Sequence, residues 1–240
     1  MAVSPSVSIV IPSVHEDALV PVLEKCRPHA GEILILDSLS GGRTRSVAEE
    51  LGAQVAPGDG LGRGAALRRA LQDVRGDIVV ILDADGAHDP GDIPKMVAPI
   101  VAGQADHCIA SHVRGGSDEP LATMAQLVRR FGGQMATLAI NLRFGCRLTD
   151  AQNAFRALLT SAARRLPLRE DGPAIEQEIT IQSIRHGLRL KEIPIHEYAR
   201  PAGASALHVW RDTPRRVLSL ARILGKTAMK TGAGALPLDQ

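Results

Sequence analysis

Short apolar runs alternate with helix-like stretches through the first half of the chain. The predicted strands are residues 7–11, 33–36, 53–56, 78–82 and 107–110. The predicted helices between them are residues 17–26, 43–51, 64–74 and 92–101. This alternation predicts βαβ units around a largely parallel, buried sheet. Ligands bind beyond the carboxyl ends of such strands, where Asp37, Asp83 and Ser111 fall.

After Gly115 and Gly116 the helical pattern becomes dominant. The elements predicted there are helices at residues 121–143 and 175–186, a strand at 188–195 and a helix at 213–230. The last of these is basic and amphipathic. Residues 231–240 are expected to form a mobile tail.

Composition and charge exclude several classes of function. The net charge is only +2, and aromatic residues make up 2% of the chain, which argues against stacking-based binding of single-stranded nucleic acid. Cys26, Cys108 and Cys146 are widely spaced and odd in number, so they indicate neither a zinc motif nor a disulfide framework. A reducing cytoplasm is the simplest prediction. The sequence shows no signal peptide and no apolar run of the ~20 residues that span a bilayer, so any membrane role would have to be peripheral.

The triplet Asp83-Ala84-Asp85 directly follows the most apolar predicted strand. Two carboxylates one residue apart at a strand end suit Mg²⁺ or Mn²⁺, which often takes one or two protein carboxylates plus substrate phosphates. The alternative is a solvated turn completed by Asp89 and Pro90. The position after a buried strand favours the metal site.

Around this triplet, several short motifs follow one another in a characteristic order. They are Val7–Ile11 with Pro12, His15-Glu16, Ile35-Leu36-Asp37, Gly62-Arg63-Gly64, Asp83-Ala84-Asp85-Gly86, Gly115-Gly116-Ser117, Asp150 with Asn153-Ala154-Phe155-Arg156, Glu176-Gln177-Glu178, Glu192-Ile193-Pro194 and Arg200 with Gly203 and Ser205. The ordered set resembles the family-2 glycosyltransferases, especially the dolichyl-phosphate mannosyltransferase-like branch, from about residue 7 to residue 220.

The resemblance implies a three-layer α/β/α fold of the nucleotide-diphospho-sugar transferase (GT-A) type, with a mostly parallel mixed sheet. Residues 1–230 would form a single domain, with a nucleotide-sugar-binding half at about 1–116 and an acceptor half at 117–230. Asp83 and Asp85 would bind the metal. The expected donor contacts are Pro12, Val14, Glu16, Asp37, Arg63, Ala84 and Arg200. Simple structural roles stay open for these residues: a strand end at Pro12, a helix cap at Glu16, a turn cap at Asp37 and a solvated charge at Arg63.

The expected catalytic residues lie in the second half. Asp150 is either an acceptor-site residue or a helix cap. Glu176 and Glu178 occupy alternate positions of one helix, so only one is expected to face the crevice, and Glu176 is the first candidate for general base. A phosphate acceptor would need no strong base.

The chain departs from the family pattern at four positions. Ser38, Ala87, His112 and Ala206 stand where relatives often carry Asp, Gln, Arg and Lys. Loss of a phosphate-binding Lys at Ala206 favours a soluble metabolite or natural-product intermediate over a polyprenyl phosphate. The helix at 213–230 is accordingly expected to pack its apolar stripe onto the domain, the alternative being an anionic bilayer surface.

The predicted activity is metal-dependent transfer of a sugar from a UDP- or GDP-sugar to an acceptor, with inversion at the anomeric carbon. Two other classes of protein are alternatives. A sugar nucleotidyltransferase usually has a glycine-rich loop after the first strand, where this chain has Pro12-Ser13-Val14. A non-catalytic nucleotide-sugar-binding module would be compatible with the substitutions at Ser38, Ala87 and Ala206.

Overall fold

A computed structural model describes residues 5–12, 16–37, 42–57, 62–119, 123–199 and 209–225. Within these ranges the strands are β1 (Val7–Ile11), β2 (Glu32–Asp37), β3 (Gln54–Pro57), β4 (Ile78–Ile81), β5 (His107–Ser111), β6 (Arg156–Leu159) and β7 (Leu190–Pro194). They form one seven-stranded sheet in the order β3-β2-β1-β4-β6-β5-β7. Six strands run in the same direction, and β6 is antiparallel to both of its neighbours. The sheet is therefore mixed and mostly parallel, as predicted.

Helices cover both faces of this sheet. They are α1 (Glu16–Cys26), α2 (Gly42–Glu50), α3 (Arg63–Asp73), α4 (Ile93–Val101), α5 (His112–Gly115), α6 (Met124–Phe144), α7 (Thr160–Ala163), α8 (Ile175–Arg185) and α9 (Val209–Gly225). One apolar core joins the sheet to α1, α2 and α4, and a second joins it to α3, α7 and α8. The result is the expected three-layer α/β/α architecture.

Strand β4 shows why the apolar runs predict the sheet. Ile78 and Val80 belong to the first core, and Val79 and Ile81 to the second. Successive side chains of a strand point to opposite faces, so a strand covered on both sides must be apolar at every position. The polar residues that follow such a run then mark the edge of the sheet where it meets solvent.

Strand β6 was not predicted from the sequence. It lies between β4 and β5 and pairs with both through residues such as Ala157 and Leu158. Its four residues begin with an arginine and run directly into α7, so no isolated apolar run marks it. Only long-range pairing defines this strand, and it inserts the second half of the chain into the middle of the sheet.

A third apolar cluster lies where α6, α8 and α9 meet. Ile140, Ile181, Leu220 and Ile223 are buried there. The stripe of α9 was expected to pack onto the domain, and Leu220 and Ile223 do so, whereas Val217 and Leu218 are more than half exposed. Among the described residues, no helix is both long enough and apolar enough to cross a membrane.

The glycines of the predicted Gly62-Arg63-Gly64 loop allow the start of α3 to lie close to the backbone of residues 170 and 171. Gly62 has φ +94° and precedes α3, and the amide of Gly64 donates to the carbonyl of Asp171 at 2.8 Å. A Cβ at Gly64 would lie 2.2 Å from the carbonyl oxygen of Glu170. The loop at residues 169–172 is held in turn by Glu178, whose Oε2 accepts the amides of Arg169 and Glu170.

A pair of glycine substitutions tests this contact. Gly64→Ala is expected to lower the free energy of unfolding by roughly 2 kcal/mol, because the new methyl group must push away backbone atoms. Gly133→Ala is the matched control: it lies within α6, a Cβ there meets nothing within 4 Å, and alanine should stabilise the helix by about 1 kcal/mol. Urea denaturation of both variants measures the two effects, and equal stability of Gly64→Ala and wild type would contradict the assignment.

Candidate functional site

The aspartate triplet lies at the carboxyl end of β4, the central strand of the sheet. Asp83 comes two residues after the last paired residue of that strand, and Ala84 is fully buried. The chain then turns: Asp85 Oδ1 accepts the amide of Ala87 at 3.0 Å, and Gly86 has φ +81°. The amide of Tyr198 donates to the carbonyl of Ala87 at 2.9 Å, so a segment of the second half closes on this turn.

Arg63 contacts both the end of β4 and the start of α8. Its Nη1 and Nη2 donate to the two carboxylate oxygens of Asp83 at 2.8 and 3.1 Å. Its Nε donates to Oε1 of Glu176 at 2.7 Å. The first residue of α3 is thus clamped between the end of β4 and the first turn of α8, and it is an ion-pairing residue rather than a solvated loop charge.

Burial and charge shift the protonation equilibria of this group. Desolvation, together with the charges of Asp85 and Glu176, raises the pKa of Asp83, and Arg63 only partly opposes this. Burial alone would lower the pKa of Arg63, but Asp83 and Glu176 outweigh it and raise that pKa above its ordinary value. Negative charge is therefore concentrated at this edge of the sheet, and one guanidinium partly neutralises it.

The carboxylates at this edge fit a divalent cation that is only partly coordinated by protein. No group of three or more His, Cys, Asp or Glu side chains gathers into a metal cluster among the described residues. Asp83 and Asp85 would supply one or two hard oxygen ligands, as Mg²⁺ and Mn²⁺ sites that share phosphate oxygens and water require. Coordination by Asp83 would have to draw a carboxylate oxygen away from Arg63.

A second guanidinium lies beneath Glu176. Arg156, on β6, is fully buried and donates to the carbonyls of Asn153 and Glu176, the latter at 2.9 Å from Nη1. Burial lowers the pKa of Arg156 to about 10, although the charges of Glu176 and Asp150 oppose this. Such a cation is stabilised by carbonyl dipoles and nearby carboxylates, and it anchors the start of α8 to the sheet.

His112 and Asp150 form an ion pair at the end of β5. Nδ1 of His112 lies 2.5 Å from Oδ2 of Asp150, and Asn153 Nδ2 donates to the same oxygen at 2.9 Å. The hydrogen bond to Asp150 raises the pKa of His112 above its ordinary value of 6.5. Burial alone would raise the pKa of Asp150, but His112 lowers it below 3.8. Asp150 thus pairs with His112. In the described part of the chain no helix begins directly after Asp150, since the next element is β6, so the alternative of a helix cap is wrong.

Glu192 holds Asp150 in this position. Its Oε1 accepts the amides of Thr149 and Asp150, both at 2.8 Å, and its Oε2 accepts the hydroxyl of Thr149 at 2.9 Å. That hydroxyl is also 2.7 Å from the hydroxyl of Ser111, the last residue of β5. Glu192 stood in one of the motifs but had no predicted role, because its partners come from a segment more than 40 residues away.

The remaining predicted residues divide into three groups. Pro12 is buried directly after β1, and the backbones of Glu16 and Asp37 lie at the start of α1 and the end of β2. Val14, Ser38, Arg200 and Ala206 lie outside the described residues, as does the tail at 231–240. Glu176 points to Arg63, while Glu178 binds backbone amides, so these two carboxylates face different parts of the molecule.

Similarity to solved structures identifies the fold class. Glucosyl-3-phosphoglycerate synthase from Mycobacterium tuberculosis, in complex with Mn²⁺ and UDP-glucose, matches 95% of this chain and 82% of its own, with a TM-score of 0.73 and 22% identity. The same synthase has been solved with phosphoglyceric acid, and that structure gives a TM-score of 0.72. The chain therefore has the nucleotide-diphospho-sugar transferase (GT-A) fold.

Sequence comparison then identifies the family. The model of glycosyl transferase family 2 matches residues 8–166, and the chain belongs to that family. "Glycosyltransferase AglJ" and "Low-salt glycan biosynthesis hexosyltransferase Agl6", both from Haloferax volcanii, are 29% identical over 83% and 85% of the chain. "Undecaprenyl-phosphate mannosyltransferase" from Micrococcus luteus is 30% identical over 62% of the chain. The chain spans 65% and 50% of the lengths of the two Haloferax proteins.

The His112–Asp150 pair predicts a pH window of stability. The pair's contribution to the free energy of unfolding is present above the pKa of Asp150 in the unfolded chain, about 3.8. It is lost as pH falls through the lower pKa that Asp150 has in the folded protein. It is also present below the unfolded pKa of His112, about 6.5, and is lost as pH rises through the higher folded value. His112→Gln should therefore lower the free energy of unfolding by about 2 kcal/mol near pH 5 and by clearly less near pH 9. Denaturation at several pH values measures this, with His29→Gln at a partly exposed position as the control. A cost that does not change with pH would contradict it.

Proposed function

We propose that this chain transfers a sugar from a nucleoside-diphosphate sugar to an acceptor, with a divalent cation bound at Asp83 and Asp85. The arrangement of Asp83, Asp85 and Arg63 at the end of β4 carries the proposal. It concentrates buried charge where ligands of parallel α/β sheets bind. When bound, the cation would supply positive charge that stabilises the departing diphosphate.

The chain's own residues have distinct tasks in this proposal. Arg63, which donates to Asp83, would turn from that carboxylate towards a donor phosphate and bind it bidentately. Pro12 directly follows β1, and Glu16 and Asp37 lie at the start of α1 and the end of β2; all three would contact the nucleoside. Val14 and Arg200 keep their predicted donor contacts. UDP-glucose and GDP-sugars are both candidate donors, and Mn²⁺ and Mg²⁺ are both candidate cations.

Glu176 remains the candidate general base, but its contact with Arg63 limits how it could accept a proton. Oε1 of Glu176 already accepts a hydrogen bond from Nε of Arg63 at 2.7 Å. It can accept a proton from a hydroxyl acceptor only if that hydroxyl replaces or joins Arg63. Glu176 also positions Arg63, so a phosphate acceptor, which needs no strong base, is compatible with this geometry.

We further propose that the acceptor carries an anionic group, which His112 would bind. The imidazolium of His112 lies at the end of β5, and Asp150, Glu197 and Arg130 are close enough to affect its pKa. A carboxylate or phosphate of the acceptor would be bound there by charge-assisted hydrogen bonds. The first candidate is a small soluble acid or phosphate, and the synthase of similar fold has been solved with phosphoglyceric acid.

A polyprenyl phosphate is the second candidate acceptor. One observation favours it: α6, which carries Arg130 near His112, also exposes large apolar side chains such as Phe131 to solvent. The names of several relatives include lipid phosphates, among them the Micrococcus luteus mannosyltransferase. The three cysteines are free, which agrees with the proposed cytoplasmic location.

Replacing one metal carboxylate tests the donor half of the proposal. Asp85→Asn should lower transfer and donor hydrolysis by about 10²-fold, because a charge that balances the cation is lost. Calorimetric titration with Mn²⁺ in the presence of nucleoside diphosphate should show weaker binding. Asp92→Asn is the control, since Asp92 pairs with Lys95 on the surface. Metal binding and turnover that both remain at the wild-type level in Asp85→Asn would refute the assignment.

Replacing His112 tests the acceptor half. In wild type the KM for an anionic acceptor should rise as pH climbs through the raised pKa of His112, because the imidazolium loses its charge. His112→Arg should remove that dependence, and His112→Gln should raise KM by about tenfold at low pH while leaving donor affinity unchanged. Initial rates with phosphoglyceric acid and with a short polyprenyl phosphate distinguish the two candidates. Equal KM values in His112→Gln and wild type would exclude an acceptor contact.

A further inference from the structure

Helix α6 exposes an apolar stripe on the face opposite to the one that packs. Ala136, Thr137 and Ile140 face the third cluster. Six large apolar side chains are between 45% and 78% exposed, and these are Met124, Leu127, Phe131, Met135, Leu138 and Leu142. Because an α-helix turns by about 100° per residue, all six fall within a sector of roughly 80° centred opposite Ile140. A surface helix normally carries polar residues there.

The stripe belongs to a helix with well-defined ends. A capping box joins Thr123 and Gln126 at the start of α6, and Gly145 in the left-handed conformation ends it. From Met124 to Leu142 the stripe runs for about 27 Å at 1.5 Å per residue. Apolar surface of this extent and continuity marks a site of interaction with a protein or a membrane.

Charge around the stripe is positive on both sides. Arg130 and Arg143 are exposed and lie on opposite flanks of the apolar sector. The sequence of α6 contains three arginines and no acidic residue, and that of α9 contains four arginines and one aspartate. The two helices therefore carry a formal charge of +6. Because the whole chain carries +2, the rest of it carries −4.

From these features we propose that the outer face of α6 forms a docking surface for an anionic lipid bilayer. The apolar stripe would enter the boundary between headgroups and acyl chains, and the flanking arginines would contact anionic headgroups. A second copy of the chain fits the surface poorly, because a two-fold contact would bring two arginine-flanked stripes together with no acidic residue on α6 to pair with them. This proposal does not depend on which acceptor receives the sugar.

Vesicle binding tests the surface directly. The purified chain would be sedimented with vesicles of phosphatidylcholine alone and with vesicles that also contain phosphatidylglycerol, at low and high salt. The expected result is strong binding to the anionic vesicles that weakens as salt rises. The double variant Phe131→Gln/Leu142→Gln should bind at least about tenfold more weakly, since two exposed apolar anchors are lost. Arg143→Gln should bind about fivefold more weakly.

Matched variants distinguish this surface from general stickiness. Val20→Gln/Val101→Gln removes two exposed apolar side chains outside the surface, and Arg165→Gln removes an exposed cation outside it. Both should bind vesicles like wild type. Thermal melting confirms that all variants are folded, and donor hydrolysis without vesicles reports separately on the proposed transferase activity.

Three outcomes would overturn the proposal. The first is no binding to anionic vesicles. The second is binding that falls equally in the α6 double variant and in its control. The third is a concentration-dependent dimer that the double variant abolishes while vesicle binding is absent, which would assign the stripe to a second copy of the chain. Loss of donor hydrolysis with intact vesicle binding would count against the transferase proposal only.

Discussion

The ion pairs of Arg63 hold together the parts of the candidate site. One guanidinium contacts Asp83 after β4 and Glu176 on α8, so the first helix turn after a glycine loop is joined to elements that come 20 and 113 residues later. This contact is possible because Gly62 and Gly64 let α3 begin against the backbone of residues 170 and 171. Removal of any one partner would leave the others buried with unbalanced charge, which is costly in a desolvated environment.

The same edge of the sheet contains a second set of charges around Arg156, Asp150 and His112. Arg156 lies below Glu176, and its environment connects Glu176 to Asp150 through Asn153. Asp150 in turn binds His112, so cations and carboxylates alternate from Arg63 to His112 across the ends of β4, β6 and β5. The site therefore has Arg63 at one end and His112 at the other, and the proposed contacts to the donor diphosphate and to an anionic acceptor rest on these two side chains.

Helix α6 combines two surfaces with different roles. Its inner face fixes α8 and α9 through the third apolar cluster, and its outer face leaves six large apolar side chains in solvent. Arg130 lies on one flank of that outer face and is close enough to His112 to lower its pKa. The proposed membrane surface therefore adjoins the acceptor half of the site, and an enzyme docked in this way would meet acceptors near the headgroups.

The sequence alone determined the features that depend on local patterns. Short, mostly apolar runs predicted six of the seven strands, and β4, which is buried on both faces, is apolar at every position. Polar residues after those strands, above all Asp83, Asp85 and Ser111, marked the edge of the sheet where the candidate site lies. Ordered motifs also indicated the family, which the match over residues 8–166 confirms.

Only the tertiary structure decided how distant residues meet. Strand β6 is too short to have a pattern of its own, and its place follows from pairing with β4 and β5. The partners of Arg63, Arg156 and Glu192 come from segments that no local periodicity connects. Likewise, the sequence of α6 predicted a helix, but it did not predict which of its apolar side chains other elements would bury. Whether a side chain is buried or exposed depends on what packs against the helix, and that is a property of the whole chain.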